Sequence, residues 1–307
     1  MGRRKKGNPV HGWVILDKPQ GMTSTQAVGV VRRLYDAQKA GHAGTLDPLA
    51  TGVLPIALGE ATKTVPFAVD GAKAYRFTVR WGTQTNTDDA EGEVVETSAR
   101  RPSRDDIAGL LGQFTGEILQ VPPAFSAIKV DGERAYDLAR GGEVVELEAR
   151  PVTIDRFDLV DMPDADTAAF EAACGKGTYV RALARDLGRQ LGCFGHVTAL
   201  RRTQVGAFDI EGATTLDELR EAADLQDGGA ELAARLHPIE AALDDLLEVN
   251  VSRADAARLV RGQAVLLRGR DAPILVGEAF AVSDGTVVAL CDVAAGELRP
   301  NRVFNYG

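Results

Sequence analysis

The chain has 307 residues, of which 45% are hydrophobic and 26% are charged, and its formal net charge is −9. These proportions are typical of a globular protein with one large or two modest domains, and no apolar stretch approaches the length of a membrane span. The basic N-terminus is not followed by an apolar segment of signal-peptide length, so we expect a cytoplasmic protein. Three widely spaced cysteines without a C-x-x-C pair disfavour a disulfide framework and a zinc site.

Positive charge is concentrated in the N-terminal part of the chain. Residues 1–66 hold nine Lys and Arg against four Asp and Glu, whereas residues 213–307 hold nine Arg against sixteen Asp and Glu. A local basic field on an acidic protein is compatible with binding to a phosphate backbone. We expect residues 1–9 to form a flexible basic arm.

Strand and helix signals alternate in the first part of the chain. Residues 10–16 read as a strand, and Ser24 or Thr25 is placed to cap a helix with apolar residues at helical spacing. After an apolar run at 53–58, aromatic and apolar residues alternate with polar ones over 75–81. That alternation predicts a half-buried strand whose apolar face includes Tyr75.

The later elements have recognisable starts and ends. Capping-box patterns at Ser103-x-x-Asp106 and Thr215-x-x-Glu218, and the related Ser252-x-x-Asp255, each predict the start of a helix. Residues 152–160 and 167–174 read as strands. From about residue 249 onward, several short strand signals are separated by Gly, Pro and Asp, which indicates a small β-barrel-like domain.

Residues 179–191 read as a helix with four apolar residues on its inner face, namely Val180, Leu183, Leu187 and Leu191. Arg181, Arg185 and Arg189 are spaced i, i+4 and i+8, so they project from a common face. Residues 122–151, between the helix predicted to start at Ser103 and the strand predicted at 152–160, look like an excursion from the main fold. It holds a predicted helix at 134–139 that ends at two glycines.

The run at 41–52, GHAGTLDPLATG, places one carboxylate between two glycine-bearing turns. The glycines permit backbone angles that are closed to other residues, and Pro48 biases Asp47 toward an extended conformation. This pattern predicts a single acid held in one orientation at the lip of a cleft. Ordinary turn chemistry is the alternative interpretation of an isolated Asp-Pro pair.

Together with GEATK at 59–63, that run resembles motif II of the TruB family of tRNA pseudouridine synthases. Three further stretches resemble the same family in the same order. They are GWVILDKPQG at 12–21, the Lys73-Ala74-Tyr75 segment, and KGTYVR at 176–181 followed by Leu200-Arg201-Arg202. The similarity covers roughly residues 10 to 212.

The resemblance implies an α+β pseudouridine-synthase fold, with a mixed, mostly antiparallel sheet, a central cleft and a small C-terminal β-rich, PUA-like domain. The implied division is a catalytic domain at 10–245, with an RNA-gripping insertion at about 122–151, and a PUA-like domain at 246–307. Every residue with an implied part in the reaction lies at or before Leu200. We therefore expect the C-terminal domain to contribute to RNA binding only.

The implied activity is isomerisation of a uridine in the T-arm loop of tRNA (position 55) to pseudouridine. The base is cleaved from C1′, turned and re-attached through C5, which requires no cofactor. The sequence has no phosphate-loop or hydride-cofactor fingerprint, and four scattered histidines without a His/Cys cluster disfavour a metal. The implied partner is tRNA, bound by a monomer without guide RNA.

By the same resemblance, Asp47 is the catalytic carboxylate. It would act as a covalent nucleophile or start elimination through a glycal, and the residues do not decide between these routes. Arg181 would hold Asp47 with a two-pronged contact and keep it ionised. Tyr75 would stack on the uracil near C5. From pattern alone, a solvated surface residue is the alternative for Arg181, and a tyrosine on an alternating strand, such as Tyr75, is more often a core residue.

Five further residues are implied in substrate binding. Tyr179 and Leu200 would form walls of the base pocket, and His42 would fill the space left by the extruded uridine. Lys18 and Lys63 would contact phosphate or brace the loop. Ordinary core packing for Leu200 and solvated side chains for the lysines are the alternatives. Asn86 stands where members of the family often carry Asp, whereas Asp89 keeps its place.

Three other functions are alternatives to the isomerase. An RNA chaperone that opens the T-arm would need the fold but not the catalytic residues. A guide-RNA-dependent relative is disfavoured because the resemblance follows the bacterial-type segments and the C-terminal part is acidic. A carboxylate hydrolase would require a second acid paired with Asp47, and the sequence offers no obvious one.

Overall fold

The computed structural model describes residues 7–126, 128–130, 133–135, 138, 141, 147–267 and 276–306. Most of the basic arm predicted at 1–9, and residues 136, 137 and 139 of the helix predicted at 134–139, lie outside these residues. Arg134, where that helix is predicted to begin, lies in a short strand instead. No helix in the described ranges has the length and apolar character that crossing a membrane requires.

Strands and helices follow each other along the chain, with strands in the majority. The strands are β1 (Gly12–Lys18), β2 (Ala40–His42), β3 (Thr51–Leu58), β4 (Lys73–Trp81), β5 (Thr83–Thr85), β6 (Val94–Thr97), β7 (Gly116–Gln120), β8 (Lys129–Val130), β9 (Glu133–Arg134), β10 (Arg150–Asp161), β11 (Thr167–Cys174), β12 (Gly195–Val205), β13 (Phe208–Asp209), β14 (Leu247–Asn250), β15 (Val265–Leu266), β16 (Gly277–Ser283), β17 (Thr286–Ala294) and β18 (Glu297–Val303). The α-helices are α1 (Ser24–Leu34), α2 (Val65–Asp70), α3 (Arg104–Leu111), α4 (Val180–Gln190), α5 (Leu216–Asp224), α6 (Gly228–Ala233) and α7 (Arg253–Val260). Short 3-10 helices span Gly59–Lys63, Gly112–Phe114 and Ile239–Ala242.

The larger sheet has nine strands, with β1-β3-β12-β4-β11-β10-β7 in order, β2 paired to β3 and β13 paired to β12. Only β3 and β12 run parallel, and the other pairs are antiparallel. A second sheet of five strands, β14-β16-β17-β18-β15, lies in the C-terminal part. The predicted α+β fold, with its mostly antiparallel sheet and C-terminal β-rich part, is confirmed.

One face of the large sheet is covered by helices α1 and α4. The apolar face of β4, which carries Phe77, Val79 and Trp81, contributes to the same buried cluster as Leu183 and Leu187 of α4. The helix positions predicted to face inward are all buried.

The opposite face, near β1 and β3, shares its core with the C-terminal part. Trp13 and Val53 belong to one buried cluster with Phe280, Leu290 and Phe304. Because this cluster joins the two sheets, burial of apolar surface there stabilises both of them together. The period-2 pattern of each strand carries no information about this contact.

The helix starts agree with the sequence patterns except at α1. Ser103, Thr215 and Ser252 cap their helices through side-chain bonds to the backbone, as predicted. The α1 cap is Thr23, not Ser24 or Thr25: Thr23 forms a full capping box with Gln26. The Ser24 hydroxyl is engaged by the backbone of Leu46 instead, which leaves Thr23 to satisfy the helix end.

Candidate active site

The loop that carries Asp47 joins β2 to β3, and its two ends are bound to one side chain. The guanidinium of Arg202 donates to the carbonyl oxygens of Gly44 (3.0 Å), Thr45 (3.2 Å) and Val53 (2.8 Å). Gly52 has a φ of +102° and packs against the backbone of Arg202, where a Cβ would lie 2.1 Å from the carbonyl oxygen. Only glycine fits at this position, where β3 pairs with β12.

Helix α1 and the turn before it fix the middle of the same loop. The Ser24 hydroxyl accepts a hydrogen bond from the Leu46 amide at 2.8 Å and donates to the Leu46 carbonyl at 3.1 Å. The amide of Gly21 donates to the carbonyl of Pro48 at 2.8 Å. These bonds hold the residues on both sides of Asp47, so the carboxylate is presented from a restrained backbone.

Asp47 forms an ion pair with Arg181, the second residue of α4. Nε of Arg181 lies 2.9 Å from Oδ2 of Asp47; the Asp47 side chain is 35% exposed and that of Arg181 only 6%. A carboxylate that is open on one side and ion-paired on the other keeps an oxygen accessible to substrate. The two residues predicted to act together are therefore adjacent.

The other nitrogens of Arg181 bind elsewhere, which corrects the expected two-pronged contact with Asp47. Nη1 lies 3.4 Å from the buried Asp89 carboxylate and donates to the Thr87 carbonyl at 2.8 Å, and Nη2 donates to the Phe125 carbonyl at 2.9 Å. The guanidinium thus bridges two carboxylates and two backbone segments, one of them at the base of the 122–151 excursion.

The predicted common face of α4 is bound by the loop at 84–89. Arg185 contacts Asp88 at 3.0 Å, and Arg189 donates to the side chain of Gln84 at 3.0 Å. Asn86 braces the same loop, because its side-chain oxygen accepts from the Glu93 amide at 3.0 Å. This face of α4 is therefore a contact surface and not a solvated one.

Tyr75 lies on β4 directly opposite Arg202 on β12. It is half-buried, and its phenol interacts electrostatically with the Arg202 guanidinium and with Asp47. Burial raises the pKa of Tyr75, an effect that the positive charge of Arg202 opposes. Leu200 pairs with Phe77 in the same register and is 8% exposed, so it lines the same face of the sheet as Tyr75.

Tyr179 is the residue immediately before α4, and a buried glutamine holds its backbone. Its amide donates to Oε1 of Gln120 at 2.8 Å, and Nε2 of Gln120 donates to its carbonyl at 3.2 Å. The half-buried phenol interacts electrostatically with both Asp47 and Arg181. The structure therefore brings Tyr179 to the same site as Asp47, Arg181 and Tyr75.

The two predicted lysines differ in what they bind. Lys18 is fully buried and donates to the carbonyls of Pro19 (2.9 Å) and Met22 (2.7 Å). Burial lowers its pKa to about 8, while Asp47 acts in the opposite direction. Because its ammonium is enclosed, Lys18 has the bracing role of the two alternatives and not the phosphate contact.

Lys63 faces the C-terminal part of the chain. It forms an ion pair with Glu60 and donates to the Val303 carbonyl at 2.7 Å, with the Phe304 ring 5.6 Å from its ammonium. It therefore braces the junction between the two sheets, and the structure does not show it as a contact of the Asp47 loop.

His42 ends β2, five residues before Asp47, and pairs with Ile56 of β3. It is half-buried, and burial together with the charge of Arg202 lowers its pKa. A neutral imidazole at neutral pH is suited to stacking against bases, because it adds no charge that would have to be desolvated.

Sequence reasoning did not identify three contributors to this site. In the sequence, Arg202 stands out only as part of a motif and Asp89 only as a match to the family, and no pattern singles out Gln120. Among the described residues there is no group of three or more His, Cys, Asp and Glu side chains placed to hold a metal ion.

Comparison with family models assigns the chain in two consecutive parts. Residues 32–180 match the model described as TruB family pseudouridylate synthase (N terminal domain). Residues 181–244 match the model described as tRNA pseudouridylate synthase B C-terminal domain. The first match contains Asp47, Tyr75 and Tyr179, and the second begins at Arg181.

Curated relatives extend the similarity over the whole chain. The tRNA pseudouridine synthase B of Bradyrhizobium diazoefficiens is 61% identical over 303 residues, which cover 98% of this chain and 88% of that protein. The protein of the same name from Brucella melitensis is 53% identical, with both chains covered in full.

Solved structures show the same fold in larger assemblies. A Cbf5-Nop10-Gar1 complex contains a chain with a TM-score of 0.74 and 26% identity, matched over 96% of this chain and 85% of its own length. The Nop10-Cbf5 complex of an archaeal box H/ACA sRNP has a TM-score of 0.74 at 23% identity and supports the fold only.

Proposed function

This chain belongs to the TruB family of pseudouridylate synthases, and we propose that it isomerises the uridine at position 55 in the T-arm loop of tRNA. The activity of the family, conversion of uridine to pseudouridine, is the premise; the RNA target and the residue roles are the proposal. The observation that carries it is the ion pair between Asp47 and the buried Arg181 at 2.9 Å, on the sheet face that also presents Tyr75.

Asp47 supplies the carboxylate that starts the reaction, either by adding to the base or by promoting elimination at the sugar. In both routes the N1–C1′ bond breaks, the uracil turns, and C5 bonds to C1′. The C5 proton is then lost and N1 gains a proton, so no electrons are exchanged with a cofactor. Arg181 orients the carboxylate throughout, because its remaining donors are fixed by Thr87, Phe125 and Asp89.

The base pocket is formed by side chains on three elements. Tyr75 from β4 stacks on the uracil, and Leu200 from β12 and Tyr179 from the start of α4 form the walls. A target inside a folded RNA loop must be extruded, which costs a few kcal/mol of unstacking. His42, on the strand that leads into the Asp47 loop, fills the space that the uridine leaves.

We propose that the enzyme acts as a monomer in the cytoplasm on free tRNA, without a guide RNA. The relatives at 61% and 53% identity carry the name of a tRNA enzyme, whereas the solved complexes with other chains are only 26% and 23% identical. A chaperone without catalysis is not favoured. We also keep, as part of the proposal, the division into a catalytic domain at 10–245, with the 122–151 insertion gripping RNA, and a PUA-like domain at 246–307.

Nucleotide-resolution mapping of pseudouridine tests this function. We expect incubation with unmodified tRNA to give one modified position in the T-arm loop, and a transcript with cytidine at that position to give none. Product at other positions only would disprove the assigned target, and binding without product would favour the chaperone.

A further inference from the structure

Arg202 is an unusual buried arginine, because its bonds go to the backbone and not to an acid. The residue is 2% exposed, and its hydrogen bonds to Gly44, Thr45 and Val53 all end on carbonyl oxygens. In the part of the chain that the structure describes, it has no carboxylate partner within ion-pair distance. Other buried arginines near the site differ: Arg181 binds Asp47 and Asp89, and Arg185 binds Asp88 and Asp186.

Burying a guanidinium without a carboxylate partner is unfavourable. The hydrogen bonds that Arg202 forms must therefore explain why it is buried there. Those bonds join the two ends of the Asp47 loop, in addition to the pairing of β2 with β3. Gly44 and Thr45 precede Asp47, whereas Val53 follows it on β3. A planar guanidinium presents donors in a fixed fork, so it holds these carbonyls in one arrangement, which a lysine ammonium cannot reproduce.

The same guanidinium is also tied to the strand of the tyrosine. Arg202 and Tyr75 are direct partners in the β12–β4 register, and the phenol interacts with the guanidinium. One side chain therefore contacts both the loop that carries the carboxylate and the residue placed against the base. Ser24 holds the loop from the other side through Leu46.

We propose that Arg202 is a positioning residue for the isomerisation, whose guanidinium fork keeps the Asp47 loop and Tyr75 at a fixed separation. The expected effect on the rate rests on the proposed function. Arg202 itself is assigned no contact with the substrate. Carboxylate and phenol must face the same uracil ring from different elements, and a shift of about 1 Å in such geometry lowers a rate by about 100-fold.

The test compares Arg202→Lys with Arg101→Lys. The first variant keeps the charge and loses the fork. The control removes the guanidinium fork of an exposed arginine away from the Asp47 loop, since Arg101 donates to the carbonyls of Ser98 and Arg100 at 2.9 Å and pairs with Asp166. Three quantities are measured: the single-turnover rate on tRNA, the Kd for tRNA, and hydrogen exchange of peptides covering residues 43–53.

We expect Arg202→Lys to lower the single-turnover rate by about 100-fold, with the Kd for tRNA within about threefold and faster exchange at 43–53 only. Arg101→Lys should leave all three quantities close to the unmutated values. If Arg202→Lys does not fold, Arg202→Gln replaces it, because glutamine retains one donor group without the charge.

Three results would overturn the proposal. The first is a rate within about threefold of the unmutated enzyme, and the second is a lost rate with unchanged exchange at 43–53. The third is faster exchange throughout the large sheet with rate and affinity falling together, which would mark Arg202 as a general stabiliser. The exchange measurement needs no turnover, so failure of the unmutated protein to make pseudouridine is a separate result that refutes the proposed function.

Discussion

The carboxylate of Asp47 is paired with a guanidinium that is almost completely enclosed, since Nε of Arg181 lies 2.9 Å from Oδ2 of Asp47 and the arginine side chain is only 6% exposed. The enclosed partner cannot swing away into solvent. The orientation of the carboxylate therefore depends on what else holds Arg181, namely Asp89 and two backbone carbonyls.

Asp47→Asn should leave a folded protein that binds tRNA and makes no pseudouridine. The substitution keeps the size of the side chain and removes the charge, so we expect a rate loss of about 10⁴-fold or more. Product formation and Kd for tRNA are measured together, with the exposed Asp292→Asn as the control. Turnover near the unmutated rate would remove Asp47 from the chemical step.

Arg181→Lys should be nearly as damaging to turnover as Arg181→Ala. An ammonium is a single point charge, so it cannot replace contacts that the guanidinium makes to Asp47, Asp89, Thr87 and Phe125 at once. Arg181→Ala should also lower the free energy of unfolding by about 3–5 kcal/mol, because Asp89 is left buried without its cation. Steady-state kinetics and urea unfolding measure the two effects.

The outcome for lysine decides between two explanations of Arg181. If Arg181→Lys restores most of the activity while Arg181→Ala does not, positive charge is sufficient and the geometry of the guanidinium is unimportant. An equal loss in both variants, with a smaller loss of stability for lysine, supports the bridging role.

The local sequence was sufficient to predict those parts of the site that depend on residues close together in the chain. A lone acid between glycine turns predicts Asp47, and the spacing of Arg181 and Arg185 predicts one face of α4. The structure agrees because both signals depend on neighbours within a few residues. The cap of α1 is the exception: the Ser24 hydroxyl is engaged by Leu46, 22 residues away, so Thr23 caps the helix.

The remaining features depend on strand register, which a single sequence does not encode locally. Arg202 reaches Val53 across 149 positions in the chain, and it faces Tyr75 only because β12 lies between β3 and β4. Gln120 reaches Tyr179 across 59 positions. Periodicity does not reveal the core shared by Trp13 and Phe304 either, because each residue reads only as an apolar position in its own segment.

His42→Ala should slow the reaction on folded tRNA more than on a short, unstructured RNA that contains the same uridine. Extrusion from a stacked loop costs a few kcal/mol. If His42 offsets about 1.4 kcal/mol of that cost, its removal slows the reaction on folded tRNA about tenfold more than on the unstructured RNA. Single-turnover rates on both RNAs provide the comparison. Equal losses on the two substrates would place His42 in the chemical step or in loop stability.

Lys18→Met should remove a pH-dependent part of the free energy of unfolding. Burial lowers the pKa of Lys18 to about 8 from its usual 10.5, so between these values the unfolded chain binds more protons than the folded one. Stability from this group therefore rises with pH from 8 to 10.5, by up to about 3 kcal/mol. Below pH 8 the enclosed charge opposes folding to a constant extent.

Urea unfolding of both proteins between pH 7 and 10.5 checks this prediction, because the difference between them cancels the titration of all other groups. We expect Lys18→Met to lose stability relative to the unmutated protein as the pH rises through this window. A difference that is constant with pH would mean that the Lys18 ammonium is solvated in the folded protein.

Phe304→Ala should destabilise the whole protein without affecting the chemical step. Phe304 is 3% exposed and packs in the cluster that contains Trp13 and Val53, so its removal leaves a cavity worth about 3–5 kcal/mol. Tyr306→Phe is the control, since it loses only the bond from the phenol to the Val287 carbonyl, at about 1 kcal/mol.

Unfolding of the Phe304→Ala and Tyr306→Phe variants is followed by fluorescence, and kcat is measured at saturating tRNA. A single transition shifted by about 3 kcal/mol or more with kcat unchanged is expected, because the residues assigned to the reaction lie on the other face of the large sheet. Two separate transitions, with the first alone shifted, would show that the C-terminal sheet folds independently of β1 and β3.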